Sequence, residues 1–229
     1  DIYLSLLIKS LAYALVTTLI CVLMAYPIAL MIARSQKRYR DLLLLLVILP
    51  FWSNFLVRIY AWMIIFSPQG ALTAALNAVT SSLGLEPISL MFSSTAVIVC
   101  LVYVHLPFMI LPLYANLEKH DNRLLDAAQD LGANRFQCFW LITWPLSLPG
   151  IYAGAVLVFI PSLGIFAIPD LLGGTNGIMV GNVIKQQFVE SRDWPFGSVL
   201  SLVLTAITLV LVLVAAKLGS PAGENNGKK

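Results

Sequence analysis

The sequence predicts an all-α, polytopic membrane protein, and three observations carry that reading. Of its 229 residues, 59% are hydrophobic and only 11% are charged, where a soluble domain carries roughly a quarter. Mean hydropathy is +0.89. The charges are clustered, which leaves uncharged intervals long enough for the roughly 20-residue apolar runs that cross a bilayer. The net charge of +3 is too small to argue for nucleic acid. Cys21 and Cys100 lie inside apolar runs and Cys138 beside a polar island, so neither a disulfide framework nor a metal site is expected. The chain begins at Asp1 without a Met or a basic n-region. The first apolar run therefore reads as a span rather than a signal peptide, and a further segment upstream is expected.

Five spans are predicted, at roughly 8–33, 42–66, 92–117, 138–162 and 197–217. They make residues 1–218 one transmembrane domain followed by a polar tail over 219–229. Basic residues orient it. Arg34, Lys37, Arg38 and Arg40 crowd the first connection, Lys119, Arg123 and Arg135 the third, and Lys217, Lys228 and Lys229 the C-terminal end. The alternate connections are poorer, which places the visible N-terminus outside and the C-terminus in the cytoplasm. Of the two outer loops, 67–91 has helix-compatible spacing from Ala71 to Leu83 before Gly84 and Pro87, predicting a short interfacial helix. The other, 163–196, is rich in Gly. The interval 136–169 is uncharged over 34 residues, more than one straight span needs. Pro161 and Gly164 are expected to break it. Irregular backbone at membrane depth survives only against protein or a water-filled cavity, so 161–174 is the best pointer to a translocation path. Gly150 and Gly154 have the spacing of close helix packing.

The third connection holds a polar island, Asp126-Ala-Ala-Gln-Asp-Leu-Gly132 through Ile142-Thr-Trp-Pro145. Asp121 is a plausible N-cap. The helix that follows, about 121–137, sets Leu124, Leu125, Ala128 and Leu131 on one face and Asn122, Asp126, Gln129 and Asp130 on the other. Gly132 is the stop signal. Phe136, Phe139, Trp140 and Trp144 then lead back to the membrane as an interfacial belt. On periodicity alone this could be an ordinary amphipathic connector lying on the bilayer.

The spacing Asp-Ala-Ala-x3-Gly-x9-Ile-x-x-Pro resembles the EAA loop of type I ABC importer permeases, with Asp126 in place of the usual Glu and Trp144 in place of the usual Leu. Leu49-Pro-Phe-Trp-Ser-Asn-Phe-Leu-Val-Arg58, Val104-His-Leu-Pro, Pro169-Asp-Leu-Leu-Gly-Gly and Gly181-Asn-Val-Ile-Lys with Arg192-Asp-Trp-Pro195 resemble the first permease subunit of spermidine/putrescine importers, over about residues 3–217. The resemblance implies a multi-pass protein of the bacterial inner membrane, with a sixth, N-terminal helix. It implies a coupling helix that docks on a separate ATPase through Asp126, Ala127, Ala128, Asp130, Gly132 and Pro145. The implied partners are a second homologous permease, two ATPase subunits that bind ATP and Mg, and a periplasmic or surface substrate-binding protein. The chain itself is then not an enzyme and has neither catalytic residues nor a cofactor of its own. In keeping with this, it contains no Gly-x4-Gly-Lys-Ser/Thr phosphate loop, because Gly173-Gly-Thr-Asn-Gly177 lacks the lysine.

A polyamine requires carboxylates for its ammonium ends and aromatic faces for its stem. Asp170, beside the expected break, is the first candidate. Trp52, Tyr60 and Tyr103 are aromatic candidates, although interfacial belts and packing account for most such residues, and Trp62 belongs with them. Glu190, Asp193 and Trp194 fall in the outer loop where a binding protein would dock. Arg58, about 25 Å along a helix from Asp41, can snorkel outward, pair with a carboxylate such as Asp170, or gate the path. His105, mid-span beside Pro107, reads as an interhelical hydrogen-bonding residue or a pathway residue. The alternative cargoes are those of importers that share the coupling loop: sulfate, molybdate, ferric ion and thiamine. A further alternative is an ion-gradient-driven secondary transporter. It would need inverted repeats, and carboxylates or histidines for ion coupling inside the spans, of which the first, third and fifth runs contain almost none.

Overall fold

Backbone groups in a hydrocarbon core find no water, so an apolar chain of this kind must satisfy them within helices. The computed structural model describes residues 2–82, 84, 86 and 89–219, and among these every regular element is helical. Five stretches are long and apolar enough to cross a membrane: Ile2–Arg34, Phe55–Ser82, Ser94–Leu117, Arg135–Gly164 and Trp194–Val214. The tail from residue 220 onward, with Lys228 and Lys229, lies outside the described residues, as do Leu83 and Pro87.

The bundle is organised around one buried helix. Helix α1 spans Ile2–Arg34, and α5 spans Ser94–Leu117 with Ser93 as N-cap, its hydroxyl accepting from the Ala96 amide at 3.1 Å. Helix α8, Trp144–Gly164, closes the other side, so that α1, α5 and α8 pack mutually. The seam between α5 and α8 depends on the Gly150/Gly154 pair. A Cβ at Gly150 would lie 2.7 Å from Asn116 Cβ and 3.2 Å from Leu113 Cα, and one at Gly154 would lie 2.5 Å from Met109 Sδ and 3.2 Å from the Met109 carbonyl. The spacing serves close packing, as the sequence predicts.

Two apolar cores mark the two ends of the bundle. One gathers Tyr13, Ile59, Phe66, Val97, Cys100 and Ile168 near the start of α5; the other gathers Cys21, Tyr26, Ile32, Met109, Leu113 and Val158 toward its end. We refer to the second as the loop end, because the connection 118–143 emerges there.

The span expected over 42–66 is not one helix. Helix α2 covers Lys37–Ile48, a 3-10 turn covers Leu49–Trp52, and α3 covers Phe55–Phe66. Pro50 has no N–H to continue the ladder, and Asn54 starts a fresh helix by accepting from the Leu56 amide at 2.8 Å. Leu43, Leu44 and Val47 pack at the loop end, while Ile59 and Phe66 pack at the other. The chain therefore crosses the bundle here in two pieces, and the depth inferred for Arg58 from an unbroken helix does not hold. The short helix expected after residue 70 is α4, Ala71–Ser82, tied back by Thr73 Oγ1 donating to the Phe66 carbonyl at 3.1 Å.

Helix α8 runs through Pro161 and ends at Gly164, with Ile165 extended. Gly164 thus marks the expected break and Pro161 does not. Beyond it come a π-helical turn, Pro169–Gly173, a 3-10 turn, Thr175–Gly177, and α9, Val180–Val189. Helix α10, Trp194–Gly219, packs on α8 and α9 at the periphery. Only 6% of its apolar window is buried, which leaves a broad face for lipid or another subunit.

Candidate coupling surface and translocation path

At the loop end, Asp121 caps a helix as predicted, its Oδ1 accepting from the Arg123 amide at 3.0 Å. This helix, α6, spans Asn122–Asp130 and is shorter than the expected 121–137. Gly132 ends it at φ +88°, a backbone region that a side chain makes costly. The amides of Leu131, Gly132 and Ala133 turn back to the carbonyls of Ala127, Gln129 and Ala128, satisfying the last turn. A second helix, α7, spans Arg135–Cys138 and begins with a reciprocal capping box between Asn134 and Gln137, both bonds 2.8 Å. Asn-x-x-Gln was a readable signal for this boundary. Losing such a cap costs about 1 kcal/mol. We therefore expect Asn134→Ala to lower the thermal midpoint of the purified protein, and Asn134→Ser to restore most of it.

The apolar face of α6 is only half covered. Leu125 and Ala128 are partly buried, but Leu124 is 50% exposed and Leu131 is 89% exposed. Asp126, Ala127, Gln129 and Asp130 are exposed as well. The helix stands over a cavity of about 350 Å³ lined in part by Arg34, Glu118, His120, Asp121, Leu125 and Thr143. An Arg40–Glu118 ion pair at 2.8 Å and a bond from His120 Nε2 to the Leu146 carbonyl at 3.1 Å brace its rim. The return into the bundle is an aromatic wedge: Tyr26 meets the rings of Phe139 and Trp144 at 5.6 and 5.3 Å, and its hydroxyl lies 3.1 Å from Ser147 Oγ. The exposed Pro145 is the second residue of α8, directly after Trp144 of this wedge. A protruding helix with charged and apolar side chains left open, fixed to the bundle by rings, can transmit a push from a bound partner.

The residues assigned to a path do not converge on one pocket. Asp170 lies on the π-helical turn at the end opposite the loop. Its Oδ2 is 2.6 Å from Lys185 Nζ, and its Oδ1 accepts from the Asn182 side-chain amide. The neighbouring carboxylate, aided by Glu190, holds the Lys185 ammonium above the usual lysine range, so it is charged at neutral pH. The cationic partner of Asp170 is thus Lys185, not Arg58. The Arg58 guanidinium instead rests 5.4 and 5.9 Å from the ring centres of Phe51 and Phe55, and its Nε has no hydrogen-bond partner. Phe51 leads through Phe108 to His105, at ring separations of 5.1 and 6.2 Å. His105 is buried and bonds through Nδ1 to the Leu101 carbonyl of its own helix at 2.8 Å, not across to a neighbour.

Tyr103 packs edge-on to Trp62 at 5.4 Å, beside an apolar groove of about 310 Å³. Trp52 and Tyr60 are exposed on the outside of the chain, at 76% and 51%. Glu190, Asp193 and Trp194 are exposed at the Asp170 end, where Asp193 Oδ1 accepts from the Phe196 amide at 3.2 Å. Sequence reasoning missed Asn182, Lys185 and Phe166 as the surroundings of Asp170; a lone lysine in an otherwise charge-poor stretch was the available signal.

The family model for the inner membrane component of binding-protein-dependent transport systems matches residues 6–218. The chain belongs to this family. The permease is 48% identical over 208 residues to the spermidine/putrescine transport system permease protein PotB of Haemophilus influenzae, covering 90% of this chain and 71% of that protein. It is 46% identical over 215 residues to PotB of Escherichia coli K12, covering 93% and 77%. Its fold matches a crystal structure of a bacterial alginate ABC transporter in complex with an alginate pentasaccharide-bound periplasmic protein. That match has a TM-score of 0.69 at 20% identity and covers 94% of this chain and 80% of that one. The permease is accordingly a multi-pass inner-membrane transport component of the type I ABC importer fold.

Proposed function

We propose that this permease forms part of the membrane path of an ATP-driven polyamine importer. It would work by alternating access beside a second homologous permease, two ATPase subunits and a periplasmic or surface substrate-binding protein. The observation that carries the cargo is the 46–48% identity to PotB proteins across at least 90% of the chain. In this reading the C-terminus is cytoplasmic, ATP and Mg are bound by the ATPase subunits, and the permease carries no nucleotide site. The α6 surface receives the ATPase. The 67–91 and 163–196 connections, with Glu190, Asp193 and Trp194, receive the binding protein. Nucleotide-driven closure of the ATPases moves α6, and the aromatic wedge passes that movement to α8 and α5. Asp170 supplies the negative charge nearest the broken helix and receives one ammonium end of the cargo.

The test is uptake of labelled putrescine and spermidine in cells lacking their own polyamine importers, expressing this chain with its neighbouring subunits. Saturable polyamine uptake, with no uptake of sulfate or thiamine run in parallel, is the expected outcome. Uptake of either of those solutes instead would discard the cargo and keep the permease. Asp170→Asn removes a charge-assisted contact worth about 1.5–3 kcal/mol and should raise the KM for uptake by about tenfold or more. Unchanged uptake kinetics would remove Asp170 from the path.

A further inference from the structure

The site around Asp170 is already filled by an ammonium group, and that group belongs to the chain. Lys185 Nζ lies 2.6 Å from Asp170 Oδ2 and 5.8 Å from the centre of the Phe166 ring. A carboxylate and an aromatic face are what a primary alkylammonium requires of a binding site. The lysine side chain ends as an ammonium on a four-carbon stem, chemically one end of a diamine with a four-carbon spacer.

The two halves of the pair differ in how they are held. The carboxylate is fixed by Asn182, which is 8% exposed. The Asn182 amide donates to Asp170 Oδ1 and, at 3.0 Å, to the Phe166 carbonyl, and its Oδ1 accepts from the Met179 amide at 3.0 Å. Ser10 Oγ of α1 accepts from the next amide, Val180, at 2.8 Å. The π-helical turn, α9 and α1 are therefore joined without help from Lys185. The lysine is the movable half: its side chain is 35% exposed and that of Asp170 31% exposed, within reach of an arriving solute.

Building on the polyamine reading above, we propose that Lys185 is a tethered surrogate for the substrate's ammonium, occupying the Asp170–Phe166 site in the empty permease and giving way to a polyamine end. The exchange is one cation for another on a fixed carboxylate, so no uncompensated charge is left when the cargo moves on. The competing account is a permanent ion pair that fastens the π-helical turn to α9.

Equilibrium binding of labelled spermidine to the purified complete transporter, without its binding protein, separates the two. Lys185→Met removes the competitor and should tighten binding by about two- to fivefold, the range an exposed ion pair supplies. Lys185→Gln keeps a hydrogen bond to the carboxylate but no charge, and should also tighten binding. Asp170→Asn should weaken binding, and adding Lys185→Met to it should change nothing further, because the two act through one contact. Binding unchanged or weakened in both Lys185 variants, or tightening by Lys185→Met that persists without the Asp170 carboxylate, overturns the proposal. So does a transporter that takes up spermidine but shows no binding sensitive to Asp170→Asn. A wild-type transporter that neither binds nor takes up polyamines removes the functional reading beneath it.

Discussion

Asp126→Arg should abolish uptake while leaving the chain inserted and folded. Asp126 is exposed on α6, whose principal packing neighbour is α7. The substitution disturbs no buried contact. Arg is a better helix former than Asp, and at this position it gains an i,i+4 partner in Asp130. The helix itself should be no less stable. What changes is the charge shown to a docking subunit, and a like-charge or unpaired group at such an interface costs several kcal/mol. Uptake should fall by more than a hundredfold, and ATP hydrolysis should lose its dependence on the binding protein. Proteoliposome uptake and ATPase rates, alongside the amount of chain recovered in the membrane fraction, make the measurement. Wild-type uptake by the variant would end the coupling assignment for this helix.

Gly154→Leu should have the largest effect on folding. A Cβ there would come 2.5 Å from Met109 Sδ and 3.2 Å from the Met109 carbonyl. The sulfur is the mobile part of a flexible side chain and can move aside; the carbonyl belongs to the backbone of α5 and cannot. Forcing a full side chain into such a seam costs about 1–3 kcal/mol and sometimes more, here at the contact on which α1, α5 and α8 converge. We expect a sharp loss of monodisperse protein after extraction and a lowered thermal midpoint. Gly164→Ala is the control, because nothing lies within 4 Å of its Cβ position. That variant should match the wild type, since Gly164 ends α8 without the left-handed backbone that a side chain makes costly. Equal behaviour of the two variants would show that the seam is not close-packed.

The sequence was most informative where local chemistry decides the outcome. Asp121 as a cap, Gly132 as a stop and Gly150 and Gly154 as a packing seam are each set by one residue's geometry, and each is where the sequence predicts it. Helix α8 also ends at Gly164 as predicted, but without a left-handed backbone there. The break at Leu49–Trp52 was hidden by its own apolarity. Hydropathy runs through Pro50 without a dip, and only the proline and the Asn54 cap mark the two helices. The surroundings of Asp170 could not be read, because Lys185 reaches it across a π-helical turn, a 3-10 turn and the first part of α9. Periodicity also gave α6 an apolar face without showing what would cover it. Leu124 and Leu131 remain open to a partner, while only Leu125 and Ala128 turn toward the bundle.

The π-helical segment Phe139–Thr143, between α7 and α8, has a mechanical consequence. Such a segment holds an additional residue within an otherwise α-helical run. Since an α-helix advances about 100° per residue, that residue sets the angular phase between the loop and the bundle. Rewinding 139–143 as ordinary α-helix, with no residue removed, would add about one residue's advance and swing α6 roughly a quarter-turn around the α8 axis, so Asp126 and Leu131 would face a different direction with every side chain intact. The chain therefore carries a gear setting at this junction, and the direction in which α6 meets its partner depends on one residue of winding that makes no contact with that partner.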